Sequence, residues 1–196
     1  MGEAAERLLS PAEFIAWERK QPTKHEFIDG VIVAMAGASL PHNKIVANVV
    51  RALGNALLDR PCSALPSDMR VRIPANGRYR YPDASVVCEP ESYEDDELDT
   101  LLNPGVIVEV LSPSTEAEDR GPKFRDYRSI PSLRDYLLVI QDEVWVEHYV
   151  RNESGVWTFR DLLAGDRIAL VSCGVELRVD DFYLKVFPPP SPDAAS

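Results

Sequence analysis

The chain has 196 residues, with 21 Lys+Arg against 32 Asp+Glu, a formal net charge of −11 and 45% hydrophobic residues. This length and composition suit one globular domain with its own core and exclude wholesale disorder. The acidic balance excludes a protein that coats nucleic acid by bulk charge, and no run approaches the ~18 uninterrupted apolar residues of a membrane span.

Ser10-Pro11-Ala12-Glu13 carries a capping pattern with proline at the first helical position, which predicts a helix to about Lys20 that closes before Pro22. Asp29-Gly30 separates two short apolar runs and predicts a tight hairpin over 26–33. Ile45, Val46, Val49, Val50, Leu53 and Leu57 recur at helical spacing and predict a long helix over 39–58. Strand-like runs follow at 64–73 and 81–88, with a turn at Asn76-Gly77. Residues 89–99 hold seven acids and no base and read as a solvated loop or frayed helix.

Residues 105–111 form a strongly apolar strand, and Thr115-Glu116-Ala117-Glu118 predicts a capping box that opens a helix to about Arg128. Strands at 134–141, 144–151, 156–160, 167–171 and 175–179 and a turn at 181–185 complete the pattern. The proline-rich tail 188–196 cannot build a core and is expected to be disordered, which leaves residues 1–187 as one mixed α/β domain. Cys62, Cys88 and Cys173 are odd in number, widely spaced and free of any C-x-x-C pairing, so no disulfide framework or zinc finger is expected. The first residues lack a basic segment followed by an apolar run, so the expectation is a soluble, reduced, cytoplasmic protein.

Glu109 is the residue that breaks the pattern. In Val106-Ile107-Val108-Glu109-Val110-Leu111 both alternating faces are apolar, which predicts a strand buried on both sides. A carboxylate there costs several kcal/mol unless it is paired or binds a metal. Asp83 opens the run after Tyr81-Pro82, and two strand-borne carboxylates are what a hard divalent cation such as Mg²⁺ or Mn²⁺ needs. Glu116, Asp119, Lys123 and Tyr127 fall near one face of the next helix, so Lys123 can orient a water or stabilise phosphate charge, or form a plain i,i+4 pair with Asp119.

These segments resemble the PD-(D/E)XK nuclease superfamily, and within it the Uma family of restriction endonucleases. The carrying stretches are His25-Glu26-Phe27-Ile28-Asp29-Gly30, Pro41-His42-Asn43, Pro66-Ser67-Asp68-Met69-Arg70-Val71 and Tyr81-Pro82-Asp83. The resemblance continues through Val108-Glu109-Val110-Leu111-Ser112-Pro113-Ser114-Thr115 and Asp119-Arg120-Gly121-Pro122-Lys123-Phe124-Arg125-Asp126-Tyr127. It implies a restriction-endonuclease-like fold with a central mixed sheet flanked by helices. It also implies a metal site of Asp83, Glu109 and the Val110 carbonyl, with Glu26 as a further acidic position. The superfamily pattern has lysine two residues after the glutamate; this chain has Leu111, and Lys123 is the candidate replacement.

Arg70, Arg72, Arg78 and Arg80 lie in a stretch with little acid and are candidates for a phosphate-contacting edge. His42 can face the site or be structural; His25 and His148 receive no role. No nucleophile elbow, P-loop or dinucleotide fingerprint is present. The expected function is Mg²⁺-dependent hydrolysis of DNA phosphodiester bonds by a homodimer. The alternatives are an inactive binding module on the same fold and a hydrolase of small phosphodiesters.

Overall fold

The computed structural model describes residues 8–113 and 115–188. The chain begins with α1 (Pro11–Glu18), the hairpin β1 (His25–Ile28) and β2 (Val31–Ala34), and the long helix α2 (Leu40–Ala56). Then come β3 (Cys62–Pro66), β4 (Arg70–Ile73), β5 (Arg78–Arg80), β6 (Ala84–Cys88), β7 (Thr100–Leu101) and β8 (Val106–Leu111). A helical stretch follows, made of α3 (Glu116–Glu118), a π-helical turn Asp119–Lys123 and α4 (Phe124–Tyr127). The rest is β9 (Asp135–Ile140), β10 (Trp145–Arg151), β11 (Trp157–Leu163), β12 (Arg167–Leu170), β13 (Val175–Arg178) and α5 (Val179–Phe182).

Local chemistry sets several boundaries. The Ser10 side chain accepts from the Glu13 N–H and the Glu13 carboxylate accepts from the Ser10 N–H at 2.9 Å, so the capping box of α1 forms as predicted. Asp29 and Gly30 both take positive φ, 52° and 90°, and join Ile28 to its registered partner Val31. Ser39 caps α2 by accepting from the His42 N–H at 3.3 Å.

The strands form a six-stranded sheet in the order β11-β10-β9-β8-β6-β3, a five-stranded sheet β2-β1-β5-β4-β7 and the small pair β12-β13. In the six-stranded sheet β8 and β9 run parallel and the other pairs antiparallel, so the expected mixed sheet is present. One face of β8 packs Val106, Val108 and Val110 against Ile45, Val49 and Leu53 of α2 and against Ile168, Leu177 and Phe182. The other face packs Ile107 and Leu111 with Val71, Ile73 and Leu101 of the five-stranded sheet and with Tyr127, Ile130 and Leu133. All six residues of β8 are buried. That is the setting in which Glu109 must find partners.

Four expectations need correction. The run 64–73 splits between two sheets, because the turn closed by the Met69 N–H to the Pro66 carbonyl carries the chain out of one and into the other. Thr115 does not cap its helix: its hydroxyl instead accepts from the Ser112 N–H at 3.3 Å, and the helix widens into a π turn around Pro122, which has no N–H to return one turn back. The acidic run 89–99 is more than a solvated loop. Asp95 and Asp99 both hold Arg19 at 2.8 Å, Asp99 also holds Arg70 at 2.6 Å, and Glu94 takes Arg72 at 3.1 Å and the Tyr79 hydroxyl at 2.7 Å. Lastly, Cys62 and Cys88 form a disulfide, since the β3–β6 register sets them directly opposite; Cys173 stays free and buried. The expected disordered tail falls, apart from Pro188, outside the described residues. Among those residues no helix is long and apolar enough to cross a membrane.

Candidate functional site

Glu109 points to the face of β8 covered by the helical stretch that follows it. Its side chain is 4% exposed. The Tyr127 hydroxyl donates to Glu109 Oε1 at 2.9 Å, and Lys123 Nζ stands 3.4 Å from the same oxygen. Lys123 also pairs with Asp119 Oδ1 at 2.9 Å and lies 3.9 Å from Glu26 Oε1. Asp119, Lys123 and Tyr127 are thus the buried face of one irregular helix turned onto one strand residue. Glu116, grouped with them by spacing, turns outward and pairs with Arg120.

Asp83 reaches the site from the neighbouring strand. Ala84 pairs with Val108, so Asp83 sits one step beyond, at the level of Glu109. Its Oδ2 accepts from the Val110 N–H at 2.7 Å and lies 3.3 Å from His42 Nε2 at the start of α2. Glu26, on β1, is fixed by Arg80 Nη1 at 2.7 Å and accepts from the Tyr81 N–H at 3.4 Å. Four of the expected site groups come from four different segments: Lys123 joins Glu26 and Glu109, and Asp83, held by the Val110 N–H and His42, acts on Glu109 through its charge.

The electrostatics of this cluster are one-sided. Burial pushes the Glu109 carboxyl well above the usual range; Lys123 opposes that shift, and Asp119, Asp83 and Glu26 add to it. Burial alone would lower the Lys123 pKa, but Glu109, Glu26 and Asp119 outweigh it and keep the ammonium charged. The same logic holds at His42, where burial lowers the pKa and Asp83, Asp119 and the Val110 backbone more than reverse it. Glu26, Asp83, Glu109 and Asp119 outnumber the cations among them, since Arg80 is shared with Asp126 and Glu118.

The donor set fits a hard divalent cation. Asp83, Glu109 and the Val110 carbonyl offer oxygen only, the ligand type of Mg²⁺ and Mn²⁺, and the surplus of buried carboxylates favours an added positive charge. Among the described residues no three His, Cys, Asp or Glu side chains converge into a ready-made cage, so substrate and water oxygens would have to complete such a site.

The four arginines expected at a phosphate-contacting edge are placed otherwise. Arg80 is 1% exposed and holds Glu26, Glu118 and Asp126; Arg70 is buried between Asp99, Thr100 and the Tyr81 hydroxyl. Arg78 binds Asp29 and Asp126, and Arg72 binds Glu94. The local excess of arginine in the sequence is matched by acids distant in the chain, so these side chains tie the fold together. Residues that sequence reasoning underweighted are Asp119, Tyr127 and His42. The first two carried a signal in their shared helical face with Lys123, whereas nothing in the sequence set His42 beside Asp83.

Comparison with known proteins identifies the family and the fold. Residues 11–180 match the Uma2 family model, described as "Putative restriction endonuclease". An uncharacterized protein of Synechocystis sp. is 41% identical over 175 residues, covering 89% of this chain and 91% of its own. A second from the same organism is 38% identical over 160 residues, covering 82% and 90%. The crystal structure of a "putative nuclease belonging to DUF820" from Anabaena variabilis superposes with a TM-score of 0.72 at 17% identity, covering 91% of this chain and 99% of that one, and so shares the fold. With a match that spans most of the chain, and with relatives this similar over most of their lengths, the protein belongs to the Uma2 family.

Proposed function

We propose that the protein is a divalent-metal-dependent endonuclease that hydrolyses DNA phosphodiester bonds with water. The observation that carries this reading is Glu109, buried on the central strand yet level with Asp83 and 3.4 Å from Lys123. Asp83, Glu109 and the Val110 carbonyl would hold Mg²⁺ or Mn²⁺, which when bound lowers the pKa of a water and neutralises charge on phosphate. The rest follows from the chain's own residues. Lys123 is held protonated by three carboxylates, so it serves as a fixed positive charge facing the phosphoryl oxygens and not as a base. The Tyr127 hydroxyl fixes the Glu109 carboxylate, and Arg80 with the Tyr81 N–H fixes Glu26. A two-fold dimer would bring two such sites to the two strands of a duplex.

Supercoiled plasmid incubated with Mg²⁺ or Mn²⁺ should be nicked or linearised by the wild-type protein and left intact by Glu109→Ala. Equal cutting by both proteins overturns the assignment. Leu111, in the place where the superfamily pattern has lysine, favours a second reading as an inactive binding module. That reading requires calorimetry to show no Mn²⁺ binding by the wild-type protein.

A further inference from the structure

The face of the six-stranded sheet that carries Glu109 continues beyond the carboxylate cluster. Register sets Ile107 of β8 beside Tyr136 of β9, Tyr136 beside Tyr149 of β10, and Tyr149 beside Phe159 of β11. Partners across adjacent strands share a face, and Ile107 shares that of Glu109, two residues on. The result is an aromatic row leading from the site to the free edge of the sheet. Ring centroids of Tyr136 and Tyr149 are 6.1 Å apart, and those of Tyr149 and Phe159 are 5.0 Å apart. Phe124 lies against the row, 5.1 Å from Tyr136, 4.7 Å from Tyr149 and 5.4 Å from Trp157. Exposure grows along it: Tyr136 is buried, Tyr149 and Trp157 are half-buried, and Phe159 is 49% exposed. Core packing accounts for the inner end and leaves the outer end unexplained.

Charge of both signs borders this row: Glu147 accepts from the Tyr149 hydroxyl at 3.2 Å and pairs across the strands with Asp161, while arginines lie at the helix end beside Phe124. Phe124 directly follows Lys123 in sequence, and the Arg128 guanidinium lies 5.9 Å from the centre of its ring. Arg125, on the same short helix, is exposed. Neither Arg125 nor Arg128 has an acidic partner among the described residues; Arg51, Arg60, Arg134 and Arg151 also lack one but are engaged by amide or backbone oxygens. In a chain with 32 acids to 21 bases, an exposed arginine over the Phe124 ring and a second exposed arginine on the same short helix are complementary to a ligand that has both phosphates and aromatic bases.

We propose that Tyr149, Trp157 and Phe159 form a stacking platform for unpaired bases of a nucleic-acid strand, with Arg125 and Arg128 meeting its phosphates. The inference rests on the nuclease reading and extends it to single-stranded segments flanking the cut. Stacking on a side chain requires a base freed from its own partner, which favours single strands over duplex. β11 lies three strands from β8, roughly 14 Å at the usual strand spacing, so the platform engages nucleotides beside the reacting phosphate and not the phosphate itself.

The test is fluorescence anisotropy with a labelled oligothymidylate, in EDTA so that cutting plays no part. The wild-type protein should bind it more tightly than a duplex of the same length. Phe159→Ala and Arg128→Gln should each weaken binding about ten-fold, Phe159→Trp should retain it, and Val31→Ala, at an exposed apolar residue elsewhere, should leave it unchanged. Phe159 and Arg128 are exposed, so these variants keep the fold, which circular dichroism checks. Absence of wild-type binding, equal preference for duplex, or unchanged binding in both variants overturns the platform. If unchanged binding accompanies plasmid cutting that depends on Glu109, the platform falls and the nuclease stands. If the variants weaken binding by a protein that cuts nothing, the platform stands and the nuclease falls.

Discussion

Lys123 and Arg80 are both buried cations among carboxylates, and their surroundings assign them different work. Lys123 faces the only carboxylate of the central strand, so Lys123→Met should lower cleavage by on the order of 10²-fold. The same substitution removes a competing positive charge, and Mn²⁺ affinity measured by calorimetry should hold or rise. A purely structural lysine would lower both. Arg80 holds Glu26 and Asp126 together inside the protein, and Arg80→Met removes the cation they share, leaving Asp126 only Arg78 and Glu26 only Lys123 at 3.9 Å. Loss of such a buried pair costs about 3–5 kcal/mol, whereas Arg72→Met, at a half-exposed pair, should cost under about 1 kcal/mol. Urea denaturation of the two variants distinguishes these values. The charge of each residue was plain in the sequence, but its partner was not: Glu26 is 54 positions from Arg80 and Asp126 is 46.

At the scale of elements, the acidic loop 89–99 acts as a strap. It joins α1, through Arg19, to the five-stranded sheet, through Arg70 and Arg72. The Arg19 hydrogen bond, followed by Arg70, holds the Asp99 carboxyl well below the usual range against the opposing effect of burial. A depressed folded pKa gives stability that is present above the unfolded value, near ~3.9 for aspartate, and that is lost as pH falls through the folded pKa. The wild-type melting temperature should therefore fall below about pH 4 more steeply than that of Asp99→Asn, which lacks the titrating group. Equal slopes in thermal melts across that range would show that the Asp99 carboxylate contributes nothing. The composition of the loop predicted solvation because seven acids have no base near them in sequence; the bases that bind Glu94, Asp95 and Asp99 come from the end of α1 and from β4.

Over the whole molecule, a disulfide fastens the outermost strand of the main sheet. Among the described residues β3 pairs only with β6, and the Cys62–Cys88 bond joins the far end of the ladder that begins beside Asp83. Cys62→Ala with Cys88→Ala, or reduction of the wild type, should cost about 2–4 kcal/mol, read as a lower melting temperature. Identical melts with and without reductant in wild type would remove the bond from the account. The sequence by itself determined what depends on neighbours a few residues apart. The Asp29-Gly30 turn, the apolar stripe of α2, the doubly apolar strand around Glu109 and the shared face of Asp119, Lys123 and Tyr127 all follow from side-chain period and turn chemistry. Beyond the i,i+4 pair of Asp119 and Lys123, only the tertiary structure decided which charges meet. Sheet order brought Asp83 level with Glu109, the β3–β6 register joined two cysteines read as separate, and arginines read as a free edge were claimed by acids from distant segments. The physical reason is that hydrophobic periodicity is written locally, whereas an ion pair or a disulfide depends on contacts that the chain makes only after its sheets have formed.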